Sequence, residues 1–181
     1  TADVAETYRL AAETGLVGAS IEDATGDPGQ PLFTIEEATA RVAAAVEAVR
    51  GLPFHFTLTA RAEGFLRGNT DLDDVIRRLK AYEAAGADVL FAPGLPDLDA
   101  VRAVCRSVSR PVNFMVGVPH RSFTVSDLTA AGVKRISLAT SLYRAAMTGL
   151  LSAARETLEH GTFGYVESSV PGRELAGYLQ D

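Results

Sequence analysis

The residues best suited to chemistry gather where short β-rich segments run out into loops. Ser20-Ile21-Glu22-Asp23 leads into the turn Ala24-Thr25-Gly26-Asp27-Pro28-Gly29. Successive side chains of a strand point to opposite faces, so only one of Glu22 and Asp23 faces a given side. A carboxylate so placed suits a hard cation such as Mg²⁺, directly or through water, because that ion prefers oxygen ligands and keeps its waters. It equally suits turn-building and helix capping, the simpler role for Asp23 and Asp27.

A second such end reads Thr57-Leu58-Thr59-Ala60-Arg61-Ala62-Glu63. A guanidinium closing an apolar strand is costly to bury without an anionic partner. Its planar fork fits a carboxylate or phosphonate through two parallel bonds. An internal pair with Glu63 or Glu22 would satisfy it as well, and one site could use both arrangements. Asn113 sits near the end of a later segment, and His120 follows it on a loop facing the same way, which makes His120 a candidate substrate contact. His55, before a strand, reads as structural, and His160 beside Gly161 reads as a helix C-terminal residue favoured by the dipole. The three histidines and single Cys105 show no zinc spacing. Cys105 lies in a helical stretch, where a small buried hydrophobe is the ordinary reading. No Gly-x-Ser-x-Gly elbow, phosphate-binding Walker loop or Gly-x-Gly-x-x-Gly turn occurs.

The elements that must position these residues alternate. Strands are expected at Gly18–Asp23, Phe56–Arg61, Val89–Gly94, Val112–Gly117 and Arg135–Thr140. Ala-rich helices are expected at Asp3–Thr14, Thr34–Val49, Asp71–Ala85, Asp97–Val108 and Thr124–Ala131. Thr34-Ile-Glu-Glu37 has capping-box spacing; Asp71, Asp97 and Thr124 are caps for later helices; Gly15, Gly86 and Gly132 close helices. Helices between strands imply right-handed crossovers and a parallel sheet. Polar residues at several strand ends favour a (β/α)₈ barrel over an open doubly wound sheet. Five strands cannot close such a barrel, so an incomplete one is expected. The chain also starts on a helix without an initiator methionine, which points to further sequence upstream. No linker divides residues 1–181, so one domain is expected, ending in a helical segment over 161–181.

Composition bounds the rest. The chain is 47% hydrophobic and 22% charged, the balance of a globular protein. A net charge of −6, no Trp and scattered basic residues argue against nucleic acid. The densest basic group, Arg77-Arg78-Lys80, reads as a solvated helix face. The longest apolar runs are strand-sized, which argues against membrane spans. No signal-peptide pattern opens the chain. With one cysteine, a reducing cytoplasm is the expected home.

Taken in order, Gly18-Ala-Ser-Ile-Glu-Asp-Ala-Thr-Gly-Asp27, Thr59-Ala-Arg-Ala-Glu63, Tyr82-Glu-Ala-Ala-Gly-Ala-Asp88 and Arg110-Pro-Val-Asn113 resemble the phosphoenolpyruvate mutase/isocitrate lyase family. The resemblance covers nearly the whole chain and implies strands four to eight of the barrel. It further implies a Mg²⁺-dependent lyase or mutase (an isomerase) acting on C–C or C–P bonds of small α-oxo or enolpyruvate-type acids. By that resemblance Glu22 positions the metal through water, Arg61 binds the substrate carboxylate or phosphonate and is catalytic with Glu22, and Asn113 contacts substrate; His120 stays a candidate contact by its place on the loop alone. Loop Ala24–Pro31 has neither Cys nor Lys, whereas isocitrate and methylisocitrate lyases carry a Cys there; this argues against those two activities. The family's metal-binding aspartates belong to strands this chain does not contain. The chain alone is therefore expected to be inactive, the alternative role being a silent scaffold for subunit assembly. The segment from Gly161, with Pro171 to Leu179, resembles the family's closing helices and implies a homo-oligomer.

Overall fold

The computed structural model describes residues 1–178. They form two compact units, divided between Leu138 and Ala139.

In the first unit, helix α1 (Ala2–Glu13) precedes strand β1 (Gly18–Glu22), and helices and strands alternate from there. They are α2 (Ile35–Arg50), β2 (Thr57–Arg61), α3 (Leu72–Ala84), β3 (Val89–Phe91), α4 (Leu98–Ser107), β4 (Val112–Met115), α5 (Val125–Ala131) and β5 (Arg135–Ser137). Helix starts are fixed by local chemistry. Thr34 and Glu37 form the reciprocal capping box of α2. Asp71, Asp97 and Thr124 each accept a backbone N–H in the first turn of their helix. At Gly132 the chain turns into the left-handed region with φ 103°, which ends α5 and frees the next residues to extend.

All strand pairs are parallel, and the order is β1-β2-β3-β4-β5 without reversal. An open doubly wound sheet would reverse its order at a switch point. Sequential order with a helix after each strand is the arrangement of a (β/α)₈ barrel, of which these strands form an arc. The core lies between the sheet and its helices. Leu58, Ala60 and Leu90 of the sheet face Val42, Val46, Val75, Leu79, Val101 and Val104 of α2–α4, all buried. Gly18 is needed where β1 meets β2, since a Cβ there would stand 2.8 Å from the Thr57 carbonyl oxygen.

All five strands are shorter than the sequence suggests, β1 and β2 by one residue and the other three by two or three. Pro93 has no N–H to extend β3, Gly117 turns away after β4 with φ 110°, and Ala139 breaks off beyond β5 with φ 48°. In the second unit, α6 (Ser141–Arg155) continues into a π turn (Glu156–His160), ending at left-handed Gly161. A 3₁₀ turn (Gly164–Ser168) and α7 (Gly172–Gly177) follow. The Glu156 carboxylate accepts from Thr162 Oγ1, Gly164 N and Tyr165 N. Those bonds hold its pKa below the usual carboxylate value. Leu179 to Asp181, the last part of the expected closing segment, lie outside the described residues. No helix among the described residues is long and apolar enough to cross a membrane.

Candidate functional site

Strand register gathers the polar strand ends. Glu22 pairs with Arg61, Arg61 with Phe91, Phe91 with Asn113, and Asn113 with Arg135, making one row across all five strands. Their neighbours Ile21, Ala60, Leu90, Val112 and Phe114 are buried in the core against the helices. Alternation therefore turns the row to the opposite face, the inner face of the arc.

Arg61 is the centre of this row. Its Nε donates to Glu63 Oε1 at 2.7 Å, its Nη2 stands 3.5 Å from Glu22 Oε2, and its guanidinium carbon lies 5.1 Å from the centre of the Phe91 ring. The two ion pairs foreseen as alternatives are both present. Glu63 is 2% exposed, and burial raises its pKa above the usual carboxylate value, with the Arg61 bond opposing that shift. Nη1 of Arg61 makes neither contact, so part of the fork is available to a ligand.

Behind Arg61 stands a buried support. Asp23 is 1% exposed; its Oδ1 accepts from Glu63 N at 2.8 Å, and its Oδ2 accepts from Tyr82 Oη at 2.7 Å and Arg78 Nη1 at 3.1 Å. Arg78 also donates to Asp74 Oδ2 and to the Phe33 carbonyl, each at 2.8 Å. Burial and the Asp23 charge push the Tyr82 hydroxyl far above its ordinary pKa, keeping it a donor. Asp23 is thus a structural anchor between the end of β1 and α3. The expectation for Arg77-Arg78-Lys80 is corrected here. Arg77 and Lys80 are exposed, but Arg78 is buried on the core side of α3 because Asp23 and Asp74 neutralise it.

The loop after β1 is short and internally tied. Ala24 and Leu32 form an antiparallel bridge, Thr25 N donates to the Pro31 carbonyl at 3.1 Å, and Thr25 Oγ1 donates to the Gln30 carbonyl. Asp27 Oδ1 accepts from Gly29 N, the turn role foreseen for it. Arg67, in the loop after β2, brings Nη2 to 4.0 Å from Glu22 Oε1.

Asn113 is 3% exposed, and its Oδ1 has no hydrogen-bond partner among the described residues. Orphaned buried amides are uncommon, so one on the inner face is a reason to look for a ligand there. His120 is exposed on the loop after β4 with φ 60°, and no hydrogen bond or ion pair joins it to Glu22, Arg61 or Asn113. Cys105 is half-buried in α4, where burial raises its thiol pKa.

For a hard cation, the donors fit one arrangement only. Among the described residues no three His, Cys, Asp or Glu side chains come together as a metal cluster. Asp23 and Glu63 are committed to hydrogen bonds, which leaves half-exposed Glu22 to accept from metal-bound water. Arg78, Arg67 and Arg135 went unnoticed as site-forming residues. Only the three-dimensional register, or the pairing of Arg78 with a carboxylate 55 residues away, reveals them.

A family model described as phosphoenolpyruvate phosphomutase matches residues 1–158. An oxaloacetate decarboxylase of Paraburkholderia xenovorans is 30% identical over 172 residues, covering 92% of this chain and 54% of that protein. A 2-methylisocitrate lyase of Shewanella oneidensis is 28% identical over 167 residues, covering 88% and 56%. Among solved structures, one from Burkholderia cenocepacia J2315, provisionally assigned as a lyase/mutase, aligns with TM-score 0.93 at 50% identity, covering 98% of this chain and 64% of that one. A phosphonopyruvate hydrolase solved with oxalate and Mg²⁺ shares the fold, with TM-score 0.77 at 24% identity, covering 94% of this chain and 61% of that one. The chain spans a little over half the length of these curated relatives.

Proposed function

The chain belongs to the phosphoenolpyruvate phosphomutase family, and we propose that it carries the Arg61 half of a site that makes or breaks C–C or C–P bonds in small 2-oxo or enolpyruvate-type acids. The observation that supports this most is Arg61 itself. It is a guanidinium at a strand end, aimed by Glu63, with Glu22 beside it and one nitrogen outside both ion pairs.

Arg61 binds the carboxylate or phosphonate of the substrate through its free N–H groups. Glu63 holds the fork by Nε, Phe91 limits its travel, and Asp23 fixes the Glu63 backbone, so the cation is oriented before substrate arrives. Negative charge spreads onto the oxo oxygen as the bond breaks. A preoriented cation stabilises that charge without reorganisation, which is where electrostatic catalysis gains most. A Mg²⁺ ion held through water by Glu22 would supply further positive charge there. Asn113 and His120 offer polar contacts to the substrate, and the loop 24–32 covers it. Turnover requires further strands with the inner metal ligands, and the isolated chain binds without reacting. We further propose one continuous domain in a reducing cytoplasm, assembled as a homo-oligomer.

Calorimetric titration with oxalate, a mimic of the enolpyruvate core, tests this reading. Binding is expected, and Arg61→Met should weaken it at least about tenfold, the loss of one charge-assisted contact. Equal affinity in the variant would refute the assignment of Arg61.

A further inference from the structure

Two opposite charges at the other end of the sheet have no part in the strand-end site. All five strands are parallel, so their starts share one end, away from the ends that carry Glu22 and Arg61. Between α2 and β2, at the starting end, lies a pocket of about 240 Å³. Its floor is apolar, formed by the buried side chains of Val46, Val49, Phe56 and Leu58. Arg50, His55 and Asp88 also line it. These residues belong to α2, β2 and the segments leading into β2 and β3, so nothing outside them is needed to form the pocket. This end of a (β/α) arrangement ordinarily serves stability, and charges left unused there call for an explanation.

Both charges are held in place by contacts that leave other polar atoms unengaged. Arg50 closes α2, where the helix dipole favours a cation. Its guanidinium lies beside Gly86, since a Cβ on that residue would stand 2.9 Å from Arg50 Nη2. No hydrogen bond or ion pair joins Arg50 to any described residue. Asp88 is fixed from two sides by β2: its N donates to the Leu58 carbonyl at 2.9 Å, and its Oδ2 accepts from Leu58 N at 2.8 Å. Its Oδ1 takes no hydrogen bond among the described residues, and neither does the exposed His55 side chain. A guanidinium and a carboxylate that share a pocket would ordinarily close into a charge-assisted pair. Held apart by their own anchors, these two leave a gap bounded by opposite charges above an apolar floor.

We propose that this pocket binds a small zwitterion, an α-amino acid with an aliphatic side chain. The ligand's carboxylate meets the Arg50 fork with His55 beside it, its ammonium meets Asp88 Oδ1, and its side chain covers Val46, Val49 and Phe56. The volume suits a molecule of that size, being below the roughly 300–1,000 Å³ of pockets for drug-sized ligands. A lone anion would leave Asp88 unmatched and a lone cation would leave Arg50 unmatched, so a zwitterion is the class that satisfies both. No bond changes in this pocket, and its assignment is independent of the reading of Arg61.

L-valine and two of its analogues isolate the charges: 3-methylbutanoate lacks the ammonium, and isobutylamine lacks the carboxylate. Calorimetric titration into the chain should show valine binding at least about tenfold more tightly than either, the contribution of one charge-assisted contact. Arg50→Met should weaken valine at least about tenfold and leave isobutylamine unchanged. Asp88→Asn, which keeps an acceptor for Leu58 N, should weaken valine to a similar extent and leave 3-methylbutanoate unchanged. Circular dichroism spectra matching that of the unsubstituted chain check the fold of both variants. No saturable binding of valine by the unsubstituted chain, valine no tighter than 3-methylbutanoate, or equal valine affinity in folded Arg50→Met overturns the proposal. Each of these outcomes leaves Arg61 standing, since its own test is oxalate.

Discussion

Replacing Asp23 by alanine removes one carboxylate and strands three donors at once: the Glu63 N–H, the Tyr82 hydroxyl and one arm of Arg78. Arg78 keeps Asp74 and the Phe33 carbonyl, so its charge is not left wholly unpaired. The Glu63 amide and the Tyr82 hydroxyl are buried, and little space admits water to them. Removing one partner of a buried pair costs about 3–5 kcal/mol, a large share of the roughly 5–15 kcal/mol that holds a domain together. For a chain of this size each kcal/mol moves the melting temperature by about 2–4 °C, so a fall of about 6–20 °C is expected. Urea unfolding followed by circular dichroism should show the midpoint falling at unchanged slope. Asp23→Asn keeps an acceptor for Glu63 N and should lose less. Tyr82→Phe, which removes one hydrogen bond, should cost about 1–2 kcal/mol. A double-mutant cycle of Asp23→Ala with Tyr82→Phe should show strong coupling, since they share one bond. A loss under about 1 kcal/mol in Asp23→Ala would refute the assignment of this carboxylate as the anchor behind Arg61.

Other outcomes follow from the same structure. Glu63 has a folded-state pKa raised by burial, so between the ordinary glutamate value and that raised value the folded state holds more protons than the unfolded one. Its contribution to stability is therefore greatest below the ordinary value and is lost as pH rises through the raised one; Glu63→Gln should abolish that slope in pH-dependent urea titrations. Glu83 is the opposite case: bonds from Ser109 and Arg110 lower its pKa, so its stabilisation is present above the ordinary value and lost as pH falls through the lowered one, and Glu83→Gln should flatten the acid limb. Gly18→Ala forces a Cβ against the Thr57 carbonyl and Cβ; overpacking of this kind costs about 1–3 kcal/mol, read as a lower urea midpoint.

How far the sequence leads depends on the range of the interaction. Helix starts were readable because caps act within three residues: Thr34 with Glu37, Asp71, Asp97 and Thr124 all cap as expected. The parallel sheet followed from the alternation of helices and strands. Strand ends were less legible, because Ala139 and Gly117 stop strands through backbone angles that residue type alone does not dictate. Arg61 and Glu22 stood out as polar residues closing apolar strands. Arg78 did not, since in sequence it is one more basic residue on an amphipathic helix. Its burial depends on Asp23, 55 residues away. The same holds for Arg135, whose side chain meets Thr59, 76 residues distant. Register across five strands, not any local pattern, aligns Arg135 with Asn113 and Arg61.

The central claim is that Arg61 at the end of β2 receives the acid group of a small oxo-acid. Crystals of this chain grown with Mg²⁺ and oxalate test it most directly. The account predicts oxalate on the inner face of the arc, with a carboxylate oxygen within hydrogen-bond distance of the Arg61 guanidinium and Glu63 still holding its Nε. Oxalate bound away from Arg61, or Arg61 turned out of the row toward solvent, would contradict it.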